Sequence, residues 1–122
     1  MSDSRPLSGR RVLVVEDDYF LATDTCQWLL DAGAEVVGPT PDAEEACGLL
    51  DRERVDSAVV DINLGLGPTY EVASRLNRDQ VPFLFATGYD RSALPPQFLD
   101  MPRIEKPFRQ SDLVKAVTAL GV

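Results

Sequence analysis

The fold is decided by the stretch SAVVDIN, residues 57–63, in which small and β-branched apolar residues run directly into an aspartate. A Gly-rich segment, 64–68, follows it. A short apolar run bounded by turn residues is typical of a buried strand, and apolar residues on both faces indicate a central strand of a parallel sheet. Ligands of such sheets bind beyond the carboxyl ends of the strands. Asp61 therefore stands where this fold would do its chemistry, although a lone aspartate is also typical of a turn.

The rest of the chain repeats this pattern of strand and helix. Apolar runs predict two more central strands, and shorter, more polar runs predict two edge strands. These four strands are expected at 12–15, 82–87, 35–38 and 103–105. Apolar residues at helical spacing predict helices over 19–32, 41–50 (with Asp42 as N-cap), 68–76 and 113–120.

The span 88–102 is different, because Pro95-Pro96 breaks any regular helix. We expect a loop there with at most one short helical turn, so the fourth helix of the fold is short or absent. Right-handed crossovers and short connections then favour an α/β, flavodoxin-like fold. Its five-stranded parallel sheet has the order 2-1-3-4-5 and carries helices on both faces.

Composition bounds the class of protein. The chain has 122 residues, 44% of them hydrophobic and 26% charged, which predicts one domain, 1–122, with residues 1–10 as a loose lead-in. No apolar run has the roughly 20 residues of a membrane helix, and no signal peptide is recognisable. Two cysteines are too few for a disulfide framework, so we expect reduced thiols and a cytoplasmic protein.

The charged side chains narrow the chemistry. A net charge of −8 opposes direct nucleic-acid binding, which depends on Lys and Arg. The absence of histidine excludes Ser-His-Asp and Cys-His catalysis as well as His-ligated zinc. Carboxylates, hydroxyls and amines remain, and a hard cation held by oxygen ligands is the natural cofactor for them.

The predicted strands deliver their terminal residues to one rim of the sheet: Glu16 and Asp17, Asp61, Thr87, and Lys106. Clustered carboxylates repel one another unless a cation intervenes, and Mg²⁺ suits them. An aspartate beside Mg²⁺ can attack phosphorus, and a hydroxyl and an amine can bind the new phosphoryl oxygens. Each residue alone has a structural explanation, such as Asp17 or Asp18 capping the first helix, but together they favour function.

In this order the motifs resemble the receiver domain of two-component response regulators. They are VVEDD at 14–18, VDINL at 60–64, ATG at 86–88 and KPF at 106–108. The resemblance implies that Asp61 is the phosphoacceptor. It implies that Mg²⁺ (Mn²⁺ as a substitute) is held by Asp61, by Asp17 directly, by Glu16 through water and by the backbone carbonyl of Asn63.

The resemblance extends to the phosphoryl group and the partners. Thr87 and Lys106 would bind the phosphoryl oxygens, and Lys106-Pro107 would be a cis peptide. The stretch 82–89 (PFLFATGY) resembles the narrower group of FAT-GUY receivers of alphaproteobacteria, often single-domain proteins. Such proteins take phosphoryl groups from histidine kinases or phosphotransferases, so the chain is expected to be a phosphoacceptor rather than an enzyme.

One departure from the family pattern bears on switching. Arg103 stands where receivers usually carry an aromatic residue, three positions before the lysine. We therefore expect Thr87 to pull Gly88-Tyr89 toward phosphorylated Asp61, which would reorder 88–102 and present the last strand and helix to a downstream protein. The side chains of Asn63 and Tyr89 are expected to modulate the lifetime of the acyl phosphate.

Because the chain ends right after its last helix, we expect a stand-alone receiver or an excised piece. The remaining alternatives are a haloacid dehalogenase-type phosphatase and a constitutive protein-binding module. The first also uses Mg²⁺ and an aspartyl phosphate, but its D-x-D motif does not match residues 16–19 (EDDY). The second is disfavoured because every acceptor-site residue is present.

Overall fold

The computed structural model describes residues 5–62, 70–88 and 94–121. Five strands alternate with helices along these residues, and a single 3₁₀ turn stands where a fourth crossover helix would be. The elements in chain order are β1 Arg11–Val15, α1 Tyr19–Asp31, β2 Glu35–Thr40, α2 Ala43–Arg52, β3 Ser57–Asp61, α3 Glu71–Arg78, β4 Phe83–Thr87, the 3₁₀ turn Pro96–Phe98, β5 Arg103–Glu105 and α4 Gln110–Ala119.

The strands form one parallel sheet in the order β2-β1-β3-β4-β5, as the sequence predicts. The three apolar strands lie in the middle, and every residue of β3 and β4 is buried. The two more polar strands lie at the edges, where one side of each strand has no neighbouring strand to pair with. Since all five strands run the same way, their carboxyl ends share one rim.

Two hydrophobic clusters cover the faces of the sheet. One packs α2, α3 and the 3₁₀ turn against β3 and β4, with Phe85 and Phe98 in contact at 5.6 Å between ring centroids. The other packs α1 and α4 against the opposite face. Trp28 belongs to this second cluster, and its ring lies 6.2 Å from that of Phe108. Helices therefore lie on both faces of the sheet, as expected.

The expectation of a loose lead-in over 1–10 is wrong for residues 5–10. Leu7 has no exposed surface and packs with α1 and α4, while its N–H donates to the carbonyl of Ala32 at 2.9 Å. Gly33 is what lets this segment approach, because a Cβ there would lie 3.0 Å from atoms of Arg5 and Ser8. Residues 5–10 are therefore tied to the core through Leu7.

Strand β2 continues beyond its predicted end at Gly38. Its register with β1 shifts by one residue, so Gly38 and Pro39 together lie opposite Val14, and Thr40 pairs with Val15. Pro39 has no N–H to donate and cannot continue the ladder, whereas Thr40 can. The predicted start of α3 at 68–69 lies outside the described residues, within which this helix begins at Glu71.

Other predictions about the helices agree with the structure. Asp42 is the N-cap of α2, where its side chain accepts from the N–H of Glu45 at 2.8 Å. Cys26 and Cys47 are free and half-buried. The longest described helix has 13 residues, and none that the structure describes combines the length and apolar character needed to span a bilayer.

Candidate functional site

The strand ends bring the predicted polar residues to the same rim. Asp61 is the last residue of β3 and Thr87 the last of β4, while Glu16 directly follows β1 and Lys106 directly follows β5. Asp61, Glu16 and Thr87 are buried, whereas Lys106 is about one quarter exposed. These residues stand at neighbouring strand ends because β1, β3, β4 and β5 are consecutive in the sheet.

The ammonium group of Lys106 joins two of the carboxylates. Its Nζ lies 2.9 Å from Oε1 of Glu16 and 3.1 Å from Oδ2 of Asp61. The carboxylate side chains are only 4% and 3% exposed, so these are ion pairs in a largely water-free place. Removing one partner of such a pair leaves an uncompensated buried charge. Lys106 is therefore the cation that lets these two acids lie side by side.

The environment changes the proton affinity of these groups. Burial, and next the neighbouring carboxylate of Asp61, raise the pKa of Glu16 to about 7, while Lys106 and the N–H of Asp18 act in the opposite sense. Burial disfavours the charged ammonium of Lys106, but its bonds to Glu16 and Asp61 outweigh this and raise its pKa. At neutral pH the lysine is therefore charged, and the pH lies close to the pKa of the Glu16 carboxyl group.

A third carboxylate completes a cluster that could hold a metal ion. One oxygen each from Glu16, Asp17 and Asp61 lies within 4.8 Å of the others. Ligand oxygens on opposite sides of an ion such as Mg²⁺, each about 2.1 Å away, are about 4 Å apart. Asp17 is exposed, so the cluster has one side open to solvent. Three hard oxygen donors, one of them reachable from water, fit a hard divalent cation.

The remaining predicted site residues have different surroundings. The carbonyl of Thr87 accepts from the N–H of Lys106 at 3.0 Å, which ties β4 to the residue after β5. The Lys106-Pro107 peptide is cis, as the resemblance implied. Gly88 is exposed, and a Cβ there would meet no atom within 4 Å. Asn63 and Tyr89 lie outside the described residues.

Sequence reasoning missed two supports of Glu16. The N–H of Asp18 donates to Oε2 of Glu16 at 3.1 Å, while the side chain of Asp18 caps α1 by accepting from the N–H of Leu21. The N–H of Glu16 itself donates to the carbonyl of Thr40 at 2.9 Å. The capping role of Asp18 was one of the predicted structural explanations. Glycine followed by proline inside a strand is a signal for a bulge, but it does not show which carbonyl the N–H of Glu16 meets.

Comparison with known proteins gives a consistent result. The model of the response regulator receiver domain matches residues 12–118. Transcriptional regulatory protein PdtaR of Mycobacterium tuberculosis is 29% identical over 120 residues, which are 95% of this chain and 58% of PdtaR. Sensory transduction protein LytT of Bacillus cereus is 35% identical over 112 residues, which are 88% of this chain and 45% of LytT. The chain thus spans about half the length of these curated relatives.

Among solved structures, the solution structure of SdrG from Sphingomonas melonis Fr1 superimposes with a TM-score of 0.81. The two chains are 31% identical, and the match covers 100% of each.

Proposed function

The chain belongs to the response regulator receiver domains of two-component systems, and we propose that it works as a phosphorylation-dependent receiver whose acceptor is Asp61. The similarity to SdrG agrees with the narrower resemblance to the FAT-GUY receivers. The observation that carries the proposal is the meeting of three carboxylates with the Lys106 ammonium around the end of β3. The family match does not support the phosphatase or the constitutive binding module.

In the proposed reaction an oxygen of Asp61 attacks the phosphorus atom of a phosphohistidine on a partner protein. The new P–O bond forms as the P–N bond breaks, and the departing ring nitrogen keeps the electron pair. Asp61 is suited to this because Lys106 holds its Oδ2 at 3.1 Å and the rigid end of β3 fixes its position. Water later cleaves the acyl phosphate and returns the carboxylate and inorganic phosphate.

The cofactor of the proposal is Mg²⁺, with Mn²⁺ as a substitute. Asp17 and Asp61 would hold it directly and Glu16 through water, and the family resemblance adds the backbone carbonyl of Asn63. When bound, the ion supplies positive charge that offsets the charge on the phosphoryl oxygens. Glu16 must be ionised for this, and Lys106 favours that form by donating to Oε1.

After transfer, Lys106 and Thr87 bind the phosphoryl oxygens. Lys106 can do so with little motion, because its ammonium already lies 3.1 Å from Asp61. Movement of Thr87 toward the phosphoryl group would pull Gly88-Tyr89, reorder 88–102 and change the surface of β5 and α4. Asn63, Tyr89, Gly88 and Pro107 then modulate the site and the lifetime of the acyl phosphate.

The partners follow from this chemistry. A histidine kinase or a histidine phosphotransferase supplies the phosphoryl group, and a downstream protein reads the changed surface. The protein is a phosphoacceptor that loses its phosphate slowly, not an enzyme that turns over a substrate. We place it in the cytoplasm, without direct contacts to nucleic acid or membrane.

The proposal is tested by incubation with acetyl phosphate and Mg²⁺, followed by measurement of the intact mass. Wild type should gain one phosphoryl group, and neither Asp61→Asn nor wild type in EDTA should gain any. Asp42→Asn is the matched control, because it removes a distant carboxylate while asparagine still caps α2. An adduct that persists in Asp61→Asn would contradict the assignment, as would a wild type that binds neither phosphoryl groups nor beryllofluoride.

A further inference from the structure

The backbone just after β1 has to be held in place for the acidic cluster to exist. β1 ends at Val15, and Glu16 and Asp17 follow it without intervening residues. On the β3 side the pairing of β1 stops at Val15, which lies opposite Val60. On the other side the N–H of Glu16 donates to the carbonyl of Thr40 at 2.9 Å. The position of the acidic pair therefore depends on β2, an edge strand that contributes no ligand.

The bond to Thr40 exists only because β2 is bulged. In an unshifted register Glu16 would face the carbonyl of residue 39, one position earlier, since Leu13 pairs with Val37. The extra residue at Gly38–Pro39 advances β2 and brings Thr40 opposite Val15. Bulges beside functional sites commonly re-aim a neighbouring residue in this way. Here the re-aimed group is the carbonyl that holds Glu16.

Gly38 is the residue that allows the bulge. Its φ is +95°, in the left-handed region that favours glycine, and a Cβ would lie 3.0 Å from the carbonyl oxygen of Val14 and 3.0 Å from the nitrogen of Thr40. Both contacts are backbone atoms, one on β1 and one on β2 itself, so a larger residue can be admitted only if the backbone of β2 shifts at the bulge and relative to β1. On β1 the contact is with Val14, which lies two residues before Glu16.

Thr40 is fixed on its other side as well. It is fully buried, and its hydroxyl lies within 3.4 Å of the N–H of Asp42, whose side chain caps α2. The bulge therefore ties the acidic pair to the start of α2. Side chains that hold ligands in place are worth about 10- to 100-fold in metal affinity when they are lost.

We propose that the β2 bulge, Gly38–Thr40, is a positioning element that sets the divalent-cation affinity of the Glu16–Asp17–Asp61 cluster. This inference rests on the proposed function, because it needs a cation at that cluster. It assigns no contact with the ion to Gly38 or Thr40. They act through the backbone of Glu16.

The test compares two glycine substitutions of matched severity. Gly38→Ala and Gly33→Ala both place a Cβ at positive φ within 3.0 Å of other atoms, but Gly33 follows α1, at the end of the sheet away from the acids. Binding is measured as the loss of the free Mn²⁺ signal in electron paramagnetic resonance, and by Mg²⁺ competition. We expect Gly38→Ala to bind about 10-fold more weakly than wild type, and Gly33→Ala to bind as wild type does.

Equal affinities in wild type, Gly33→Ala and Gly38→Ala would overturn the inference. If Gly38→Ala does not fold, Pro39→Ala decides instead, because it gives β2 an N–H at position 39 that can restore the unshifted register. It should also weaken Mn²⁺ binding, and unchanged binding would overturn the inference. Failure of the proposed function would give a different result. Because that proposal makes Asp61 a ligand of the ion, equal Mn²⁺ binding by wild type and Asp61→Asn would contradict it.

Discussion

Among the residues of the candidate site, Glu16 has a strongly altered proton affinity. Burial first, and the Asp61 carboxylate second, raise its pKa from 4.5 to about 7. The folded state therefore binds this proton more tightly than the unfolded state. Its contribution to stability is complete below about pH 4.5 and is lost as the pH rises through about 7. In EDTA, the free energy of unfolding in urea should fall across this window by at most about 1.4 kcal/mol per pH unit.

Glu16→Gln is the control for this prediction, because the amide keeps the shape and cannot titrate. Its unfolding free energy should lack the fall assigned to Glu16. Divalent cations compete with the proton, so Mg²⁺ affinity of the wild type should rise over the same window. Identical pH dependence in Glu16→Gln and wild type would show that the slope comes from another group.

Lys106 gives a second prediction at this scale. Lys106→Met keeps much of the side-chain volume but leaves Glu16 and Asp61 without their shared cation. Loss of one partner from a fully buried ion pair costs about 3–5 kcal/mol. Because Lys106 is 25% exposed, we expect about 1–2 kcal/mol in metal-free buffer above pH 7.

The loss should shrink at low pH, where Glu16 is protonated. Lys115→Met, on the exposed side of α4, is the matched control and should change the unfolding free energy by less than about 0.5 kcal/mol. The explanation is wrong if Lys106→Met costs as much at low pH as at high pH.

At the scale of elements, the backbone at the end of α3 is strained at a residue other than glycine. Gln80 has a φ of 60°, and it occupies the position after the helix cap where glycine is usual. The N–H of Gln80 donates to Asn77 and that of Val81 to Leu76, which is the Schellman pattern. Gln80→Gly should raise the unfolding free energy by about 0.5–1 kcal/mol. Gln80→Ala keeps the strain and should bring no gain, so equal stabilisation by both substitutions would contradict this explanation.

The elements also show how far the sequence can be interpreted. The central strands were predictable because three uninterrupted apolar runs, 12–15, 58–60 and 83–86, have apolar residues on both faces of the strand. The edges followed from the polarity of the two remaining strands. For β2 the sequence predicts an end at Gly38, and only the register with β1 shows that the strand continues through a bulge to Thr40. Local patterns predict elements, but not how two neighbouring strands align.

At the scale of the whole molecule, the N-terminal segment 5–10 completes the core on the face covered by α1 and α4. Leu7 is fully buried with α1 and α4, although Arg5 and Ser8 beside it are polar. Leu7→Ala should lower the unfolding free energy by about 2–4 kcal/mol. Leu30→Ala, where the side chain is 45% exposed, should cost far less and serves as the control in the same urea titration. Similar losses in the two variants would show that Leu7 is not part of the core.

The candidate site was predictable for a reason that applies to the whole sheet. Parallel strands end at a common rim, so the acids and the amine that follow β1, β3 and β5 could be expected to meet there. The bond from Lys106 to Glu16, in addition to Asp61, was not predicted, because side-chain geometry depends on how the strands twist and pack. For the same reason the support of Glu16 by Thr40 required the structure.

The proposed switch makes the two faces of the sheet respond differently. Thr87 follows Phe83 and Phe85 at alternate positions of β4, so its side chain lies on the face covered by α2, α3 and the 3₁₀ turn. The backbone of β4 is also bonded to the segment 94–102, because the N–H of Phe85 donates to the carbonyl of Pro102 at 3.0 Å. Movement of Thr87 toward a phosphoryl group should therefore change this face, including 94–102, and leave α1 nearly unchanged.

Amide hydrogen exchange with and without Mg²⁺ and beryllofluoride measures this difference. We expect altered exchange within 94–102 and unchanged protection in α1, which is tied to the opposite face. Thr87→Ala is the control that separates switching from ligand binding: it should still accept a phosphoryl group from acetyl phosphate, because Asp61 and Lys106 remain, but lose most of the change in 94–102. Unchanged exchange in wild type would contradict the switch, and so would a full response in Thr87→Ala, because the signal would then reach 94–102 without the hydroxyl of Thr87.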